Sequence, residues 1–67
     1  MNIFKTRLKE LRTDEGLKQS QIAEALKIPE ATYSNWEQGR SEPSIDGLIM
    51  LGAFFKVSID YLVGVED

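Results

Sequence analysis

The stretch Gln19-Ser20-Gln21-Ile22-Ala23-Glu24-Ala25-Leu26-Lys27-Ile28-Pro29-Glu30-Ala31-Thr32-Tyr33-Ser34-Asn35-Trp36-Glu37-Gln38-Gly39 decides how this chain is read. Ile22, Ala23 and Leu26 fall on one stripe of a short helix covering about Gln19 to Leu26, because residues three and four apart share a helix face. Pro29 suits a helix start, since the N–H it lacks is an orphan there in any residue. The pattern predicts a helix from about Pro29 to Gln38, with Tyr33 and Trp36 inward and Gly39 closing it. A turn of about three residues joins the two, and Ala23 is small enough for the axes to cross closely. This is the layout of a helix-turn-helix, spanning about residues 19–38.

Outward from that stretch the chain is also helical. Phe4, Leu8 and Leu11 recur at helical spacing with charges between them, and Gly16 supplies a stop. Ser44, behind Pro43, suits the N-cap of a fourth helix ending near Phe55, and Ser58 caps a fifth ending before Gly64. Val and Ile are scattered rather than alternating with polar residues, so no strand competes. Sixty-seven residues make at most one domain, which buries only about 60% of its unfolded surface. The expected fold is a compact, all-α, five-helix domain over residues 1–67, without repeats or low-complexity tracts.

Composition removes most chemistry. The chain has no Cys and no His, hence no disulfide frame, no thiol nucleophile, no imidazole base and no usual zinc ligands. Its glycines (16, 39, 47, 52 and 64) never approach a phosphate-cradling spacing. The serines have no histidine to activate them and read as caps and surface hydroxyls. No metal, cofactor or small-molecule substrate is expected, and catalysis is not. The apolar runs are too short for a membrane span, and Met1-Asn2-Ile3-Phe4-Lys5 has no apolar export signal. A cytoplasmic location follows as the default expectation.

The net charge of −3 is unevenly spread. Residues 1–28 hold six bases against four acids, whereas residues 29–67 hold only Arg40 and Lys56 against seven acids. One face can therefore stay mildly basic although the whole chain is acidic.

The outward side of the helix at 30–38 carries Glu30, Ala31, Ser34 and Asn35, short side chains that can reach base edges without bulk. Short polar residues also cover any solvated helix, so this face alone discriminates weakly. The wording of the whole chain is more specific. Leu8–Arg12, Gly16-Leu17-Lys18-Gln19, Ile22-Ala23, Thr32–Gly39 followed by Arg40, Pro43-Ser44 and Val57-Ser58-Ile59-Asp60-Tyr61-Leu62 occur in order. In these segments, across about residues 4–64, the sequence resembles the Cro/CI-type (Xre family) helix-turn-helix repressor domain, which implies a lambda-repressor-like fold.

The resemblance implies roles for the matched positions. Glu30, Ala31, Ser34 and Asn35 face the bases. Lys18, Gln19, Thr32, Tyr33, Gln38 and Arg40 meet phosphates, with Gln19 also buttressing the reading helix. Arg12 and Glu37 form a partly buried salt bridge from the first helix to the end of the third, a task that suits the planar guanidinium fork. There are departures as well. Lys18 and Pro29 stand where hydroxyl caps are frequent, and Lys27 stands where glycine is frequent, which predicts a left-handed residue there. Glu30 and Glu42 are acidic in positions often polar or basic, so weak non-specific binding and heavier reliance on base contacts and dimerisation are expected.

Several residues carry two readings. Trp36 reads as core rather than as a stacking platform. Tyr33 can pack at a rim and still give its hydroxyl to a phosphate. Lys5, Arg7 and Lys9 read as a solvated face. The Glu30 carboxylate either accepts from a base amino group or is favoured by the helix dipole. In the fourth helix one buried stripe needs only some of Ile45, Leu48, Leu51, Gly52 and Phe55, yet Ile49, Met50, Ala53 and Phe54 are apolar too. The surplus predicts a partner face of Ile49, Met50, Ala53, Phe54 and Tyr61, with a two-fold homodimer as the commonest use; alternatively Tyr61, Val63 and Val65 fold back over it. The expected function is a sequence-specific regulator, a repressor from a bacterium or phage, that binds a double-stranded DNA operator as a dimer. The rival from another class is a protein-interaction module, an anti-repressor or antitoxin, which the acidic C-terminal half would suit.

Overall fold

The computed structural model describes residues 3–66, which hold five helices: α1 (Phe4–Asp14), α2 (Gln19–Leu26), α3 (Glu30–Gln38), α4 (Ile45–Phe55) and α5 (Ile59–Val63). Left-handed residues end four of them. Gly39 and Gly64 close α3 and α5, but lysines close α2 and α4, with φ of 59° at both Lys27 and Lys56. A side chain in that conformation costs about 1–2 kcal/mol. The cost is offset locally, because the turns let Ile28 N–H reach Ala23 O and Val57 N–H reach Gly52 O, each at 3.0 Å.

Helix starts show the same mixture of good and poor local chemistry. Ser44 Oγ accepts from Gly47 N–H and Ser58 Oγ from Tyr61 N–H, so the two hydroxyl caps form as the sequence predicts. Lys18 has no acceptor to offer, and α2 is held instead by Gln21 Oε1 accepting from Lys18 N–H at 2.8 Å. Pro29 is the N-cap of α3 rather than its first helical residue. Its carbonyl accepts from Thr32 and Tyr33 N–H at 3.1 and 3.3 Å.

Packing joins α1 to α3 and α5, α2 to α3, and α4 to α5. Phe4, Leu8, Ile22, Ala23, Tyr33, Trp36, Leu48, Leu51, Phe55 and Leu62 make the core. Trp36 meets Tyr33 edge-on, with ring centroids 6.2 Å apart. Gly52 is needed where α4 meets the next turn: a Cβ there would stand 2.9 Å from Val57 O.

One expectation is narrowed and one corrected. Ile45 is no part of the buried stripe; it is 74% exposed, because it lies one turn before Leu48 at the edge of the apolar arc. Arg7 is not a solvated residue. Its guanidinium sits 4.3 Å over the Tyr61 ring and donates to Tyr61 O and, at 2.6 Å, to Glu66 O. Tyr61 is thereby half-buried against α1.

Candidate nucleic-acid interface

A carboxylate at the end of α3 organises the site. The Glu37 side chain is 3% exposed, and the Arg12 side chain from α1 is 13% exposed. Arg12 Nε donates to Glu37 Oε2 at 2.6 Å and its Nη2 to Oε1 at 3.0 Å. Its Nη1 donates to Leu17 O at 2.9 Å. Gln19, the first residue of α2, donates Nε2–H to Glu37 Oε1 at 3.0 Å, and Tyr33 donates its hydroxyl to Oε2 at 2.5 Å. Four bonds thus saturate the carboxylate, and among the described residues no buried side-chain polar atom lacks a partner. One acidic group fastens α1, the start of α2 and the end of α3 together.

Burial alone would push the Glu37 carboxyl up, but the bonds from Arg12, Tyr33 and Gln19 outweigh it and hold the group below its usual range. Burial, then the adjoining Glu37 carboxylate, raises the Tyr33 phenol well above its ordinary value. The Glu37 bond raises Arg12 as well. The signs give a stability window. A depressed carboxylate stabilises the fold at neutral pH, and the contribution disappears as pH falls below about 4. A raised phenol stabilises it below about pH 10, and the contribution disappears as pH rises beyond that. In an ultraviolet titration, Tyr33 phenolate should therefore appear only together with unfolding. A Tyr33 phenolate formed while the helical circular dichroism persists would contradict the buried geometry.

Tyr33 is also a correction to the phosphate-contact set. It is 0% exposed and its hydroxyl is committed to Glu37, so no phosphate can reach it. The helical period had placed it inward but could not say which way its hydroxyl end would turn.

The remaining residues of the set lie on the surface or its edge. Ala31, Ser34 and Gln38 form a line along the outer side of α3, with Glu30 and Asn35 flanking it, at angles set by the helical period. Glu30, Ala31, Gln38, Lys18 and Arg40 are exposed, and Thr32, Ser34, Asn35 and Gln19 are half-buried. Ser34 Oγ accepts from Gln38 Nε2 at 2.8 Å, which ties these two to each other. Gln19 has one amide N–H committed to Glu37 and a second N–H left over. Lys5 lies across the turn after α3, so close that a Cβ at Gly39 would stand 3.0 Å from its Cδ.

The face of α4 is separate. Ile45, Ile49, Met50 and Phe54 are exposed large hydrophobic residues, with Ile49 at 51%, and Ala53 is exposed beside them. Among the described residues after α5 Val65 does not cover them, for it is itself 74% exposed.

The helix-turn-helix family pattern matches residues 8–62. The chain is similar to the HTH-type transcriptional activator BcrR of Enterococcus faecalis, at 38% identity over 64 residues, covering 96% of this chain and 31% of BcrR. It is similar to the HTH-type transcriptional regulator ImmR of Bacillus subtilis, at 39% identity over 61 residues, covering 91% of this chain and 48% of ImmR. The crystal structure of a transcriptional regulator from Listeria innocua matches with a TM-score of 0.87 and 39% identity, covering 96% of this chain and 60% of that one. The chain therefore spans about a third to a half of the length of these curated relatives.

Proposed function

The chain belongs to the helix-turn-helix family of transcriptional regulators, and from that premise we propose that α3 reads the major groove of a double-stranded DNA operator. The observation that carries the reading is the division of α3 into two faces. Tyr33, Trp36 and Glu37 are buried, and Glu37 locks the helix to α1 and α2, so Glu30, Ala31, Ser34 and Asn35 are held outward on a rigid support. Lys18, Gln19, Thr32, Gln38 and Arg40 would grip phosphates at its two ends. Repression is the sign of regulation we propose, because occupying a promoter needs only grip on DNA, whereas activation needs a polymerase contact in addition. Such a protein acts where the chromosome is, in the cytoplasm.

Salt dependence tests the grip. Affinity for random duplex DNA should fall steeply with salt, and Arg40→Ala should flatten the slope by about one unit. Gln19→Ala should weaken all sequences alike and barely move the slope, since an amide displaces no counterion itself. Absence of binding at low salt would favour the rival reading of a protein-interaction module, to which the apolar α4 face and the acidic C-terminal half point.

We assign the α4 face to a second copy of the chain. Asp46 stands near the start of α4 and Lys56 at its end, so an antiparallel pair about a two-fold axis sets opposite charges across an apolar strip of Ile49, Met50, Ala53 and Phe54. Two-fold pairing suits two half-sites one helical turn apart. Ile49→Glu or Met50→Lys should leave helix content unchanged and abolish concentration-dependent sedimentation. A parent protein that sediments as a monomer at high micromolar concentration, free and on DNA, would sink the assignment.

A further inference from the structure

We propose that Glu30 determines specificity: its carboxylate requires a cytosine at one position of each half-site and weakens the grip on all other DNA. The inference rests on the reading that α3 faces the bases.

A glutamate opening a helix has an ordinary structural use, which is to satisfy the free amides of the first turn. That use is not made here. No side chain caps α3, and the N–H groups of Thr32 and Tyr33 both go to Pro29 O. Glu30 is exposed, and among the described residues no hydrogen bond or ion pair engages its carboxylate. The contrast with Glu37, seven residues on and bonded four times, shows what a structural carboxylate looks like in this same helix. Its outward neighbours do not answer it either. Ala31 offers only a methyl group, and the hydrogen bond recorded for the Ser34 side chain is with Gln38, not with Glu30.

An ionised carboxylate can only accept. In the major groove guanine presents N7 and O6 and thymine presents O4, all acceptors, so both repel it. Adenine offers its amino group beside the N7 acceptor, which opposes the second carboxylate oxygen. Cytosine alone presents a donor, its amino group, with no acceptor of its own beside it. The charge matters in a second way, because an anion carried toward the phosphate backbone is repelled unless a donor compensates it. Glu30 therefore acts chiefly by exclusion, as negative charge does in other discriminating interfaces. The pattern of a low sequence-independent affinity with a larger dependence on base contacts follows from it.

The test is parallel selection of bound sequences from a random duplex pool by the parent protein, Glu30→Gln and Glu30→Ala. All three should keep the same fold and helix content, the two neutral variants melting only a few degrees lower, since the one support Glu30 gives the fold is its charge in the first turn of α3. The parent should enrich cytosine at one position of the half-site. Glu30→Gln, which can pair with adenine N6 and N7, should replace it with adenine at that position alone. Glu30→Ala should leave the position unselected, and both variants should bind random duplex DNA severalfold tighter than the parent. On the parent's own site, changing that cytosine should cost the parent about tenfold in affinity and Glu30→Ala little. Identical base preferences in all three proteins, or a parent site lacking cytosine, would overturn the role of Glu30 while leaving the DNA-reading function in place. A pool from which no protein enriches any sequence would overturn both.

Discussion

Glu37→Ala should lower the midpoint of thermal unfolding by about 12–24 °C. Removing one member of a buried pair costs about 3 kcal/mol or more, and about 1 kcal/mol shifts the midpoint of a domain this small by roughly 4–8 °C. The loss is not of one bond. Arg12, Gln19 and Tyr33 all donate to this carboxylate, so the truncation leaves a cation without its counter-charge, held only by Leu17 O, and strands an amide N–H and a phenol without an acceptor. Against a total stability of about 5–15 kcal/mol that is a large share. The double replacement Arg12→Met with Glu37→Leu should recover much of the loss, since it removes the stranded charge together with its partner. A midpoint that Glu37→Ala leaves unchanged would show that the network contributes nothing net.

Asn35→Ala should have the largest effect on DNA, costing about 1–3 kcal/mol on the preferred site. The asparagine flanks the outer line of α3, half-buried, and among the described residues its side chain makes no hydrogen bond, so its amide is available to pair with adenine N6 and N7. Discrimination should blur at one base pair, and affinity for random duplex should hold. Equal weakening on preferred and random DNA would mean that α3 does not read bases through this residue.

How much was legible in the sequence depended on the range of each interaction. The five helices follow from local spacing and from punctuation by Pro, Gly and Ser, all decided within a few residues. The left-handed turn at Lys27 was legible because the family pattern sets glycine there; the identical turn at Lys56 had no such cue. The Arg12–Glu37 pair was legible through the resemblance alone, while the part played by Leu17 O and the Tyr33 hydroxyl was not. A period of 3.6 residues gives the angle of a side chain, but not which way its polar end turns once inside. Arg7 over Tyr61 joins residues 54 positions apart, and no local window contains both. Ile45 shows the converse limit. Its apolar side chain fits the stripe by spacing, yet α4 carries more apolar surface than the core can receive, and only packing decides which part is left out.

The Arg7 contacts bear on the order in which the molecule assembles. The α2–α3 contact closes a loop of a few residues, and its search is short. The clamp of α1 on α5 brings together segments separated by nearly the whole chain, and the entropy of closing that loop is recovered only when it is complete. The helix-turn-helix can thus form as an early local hairpin of helices, while the joining of α1 and α5 comes late. The α1–α5 seam is accordingly expected to open before the α2–α3 hairpin, which native-state hydrogen exchange would show as lower amide protection in α5 than in α3.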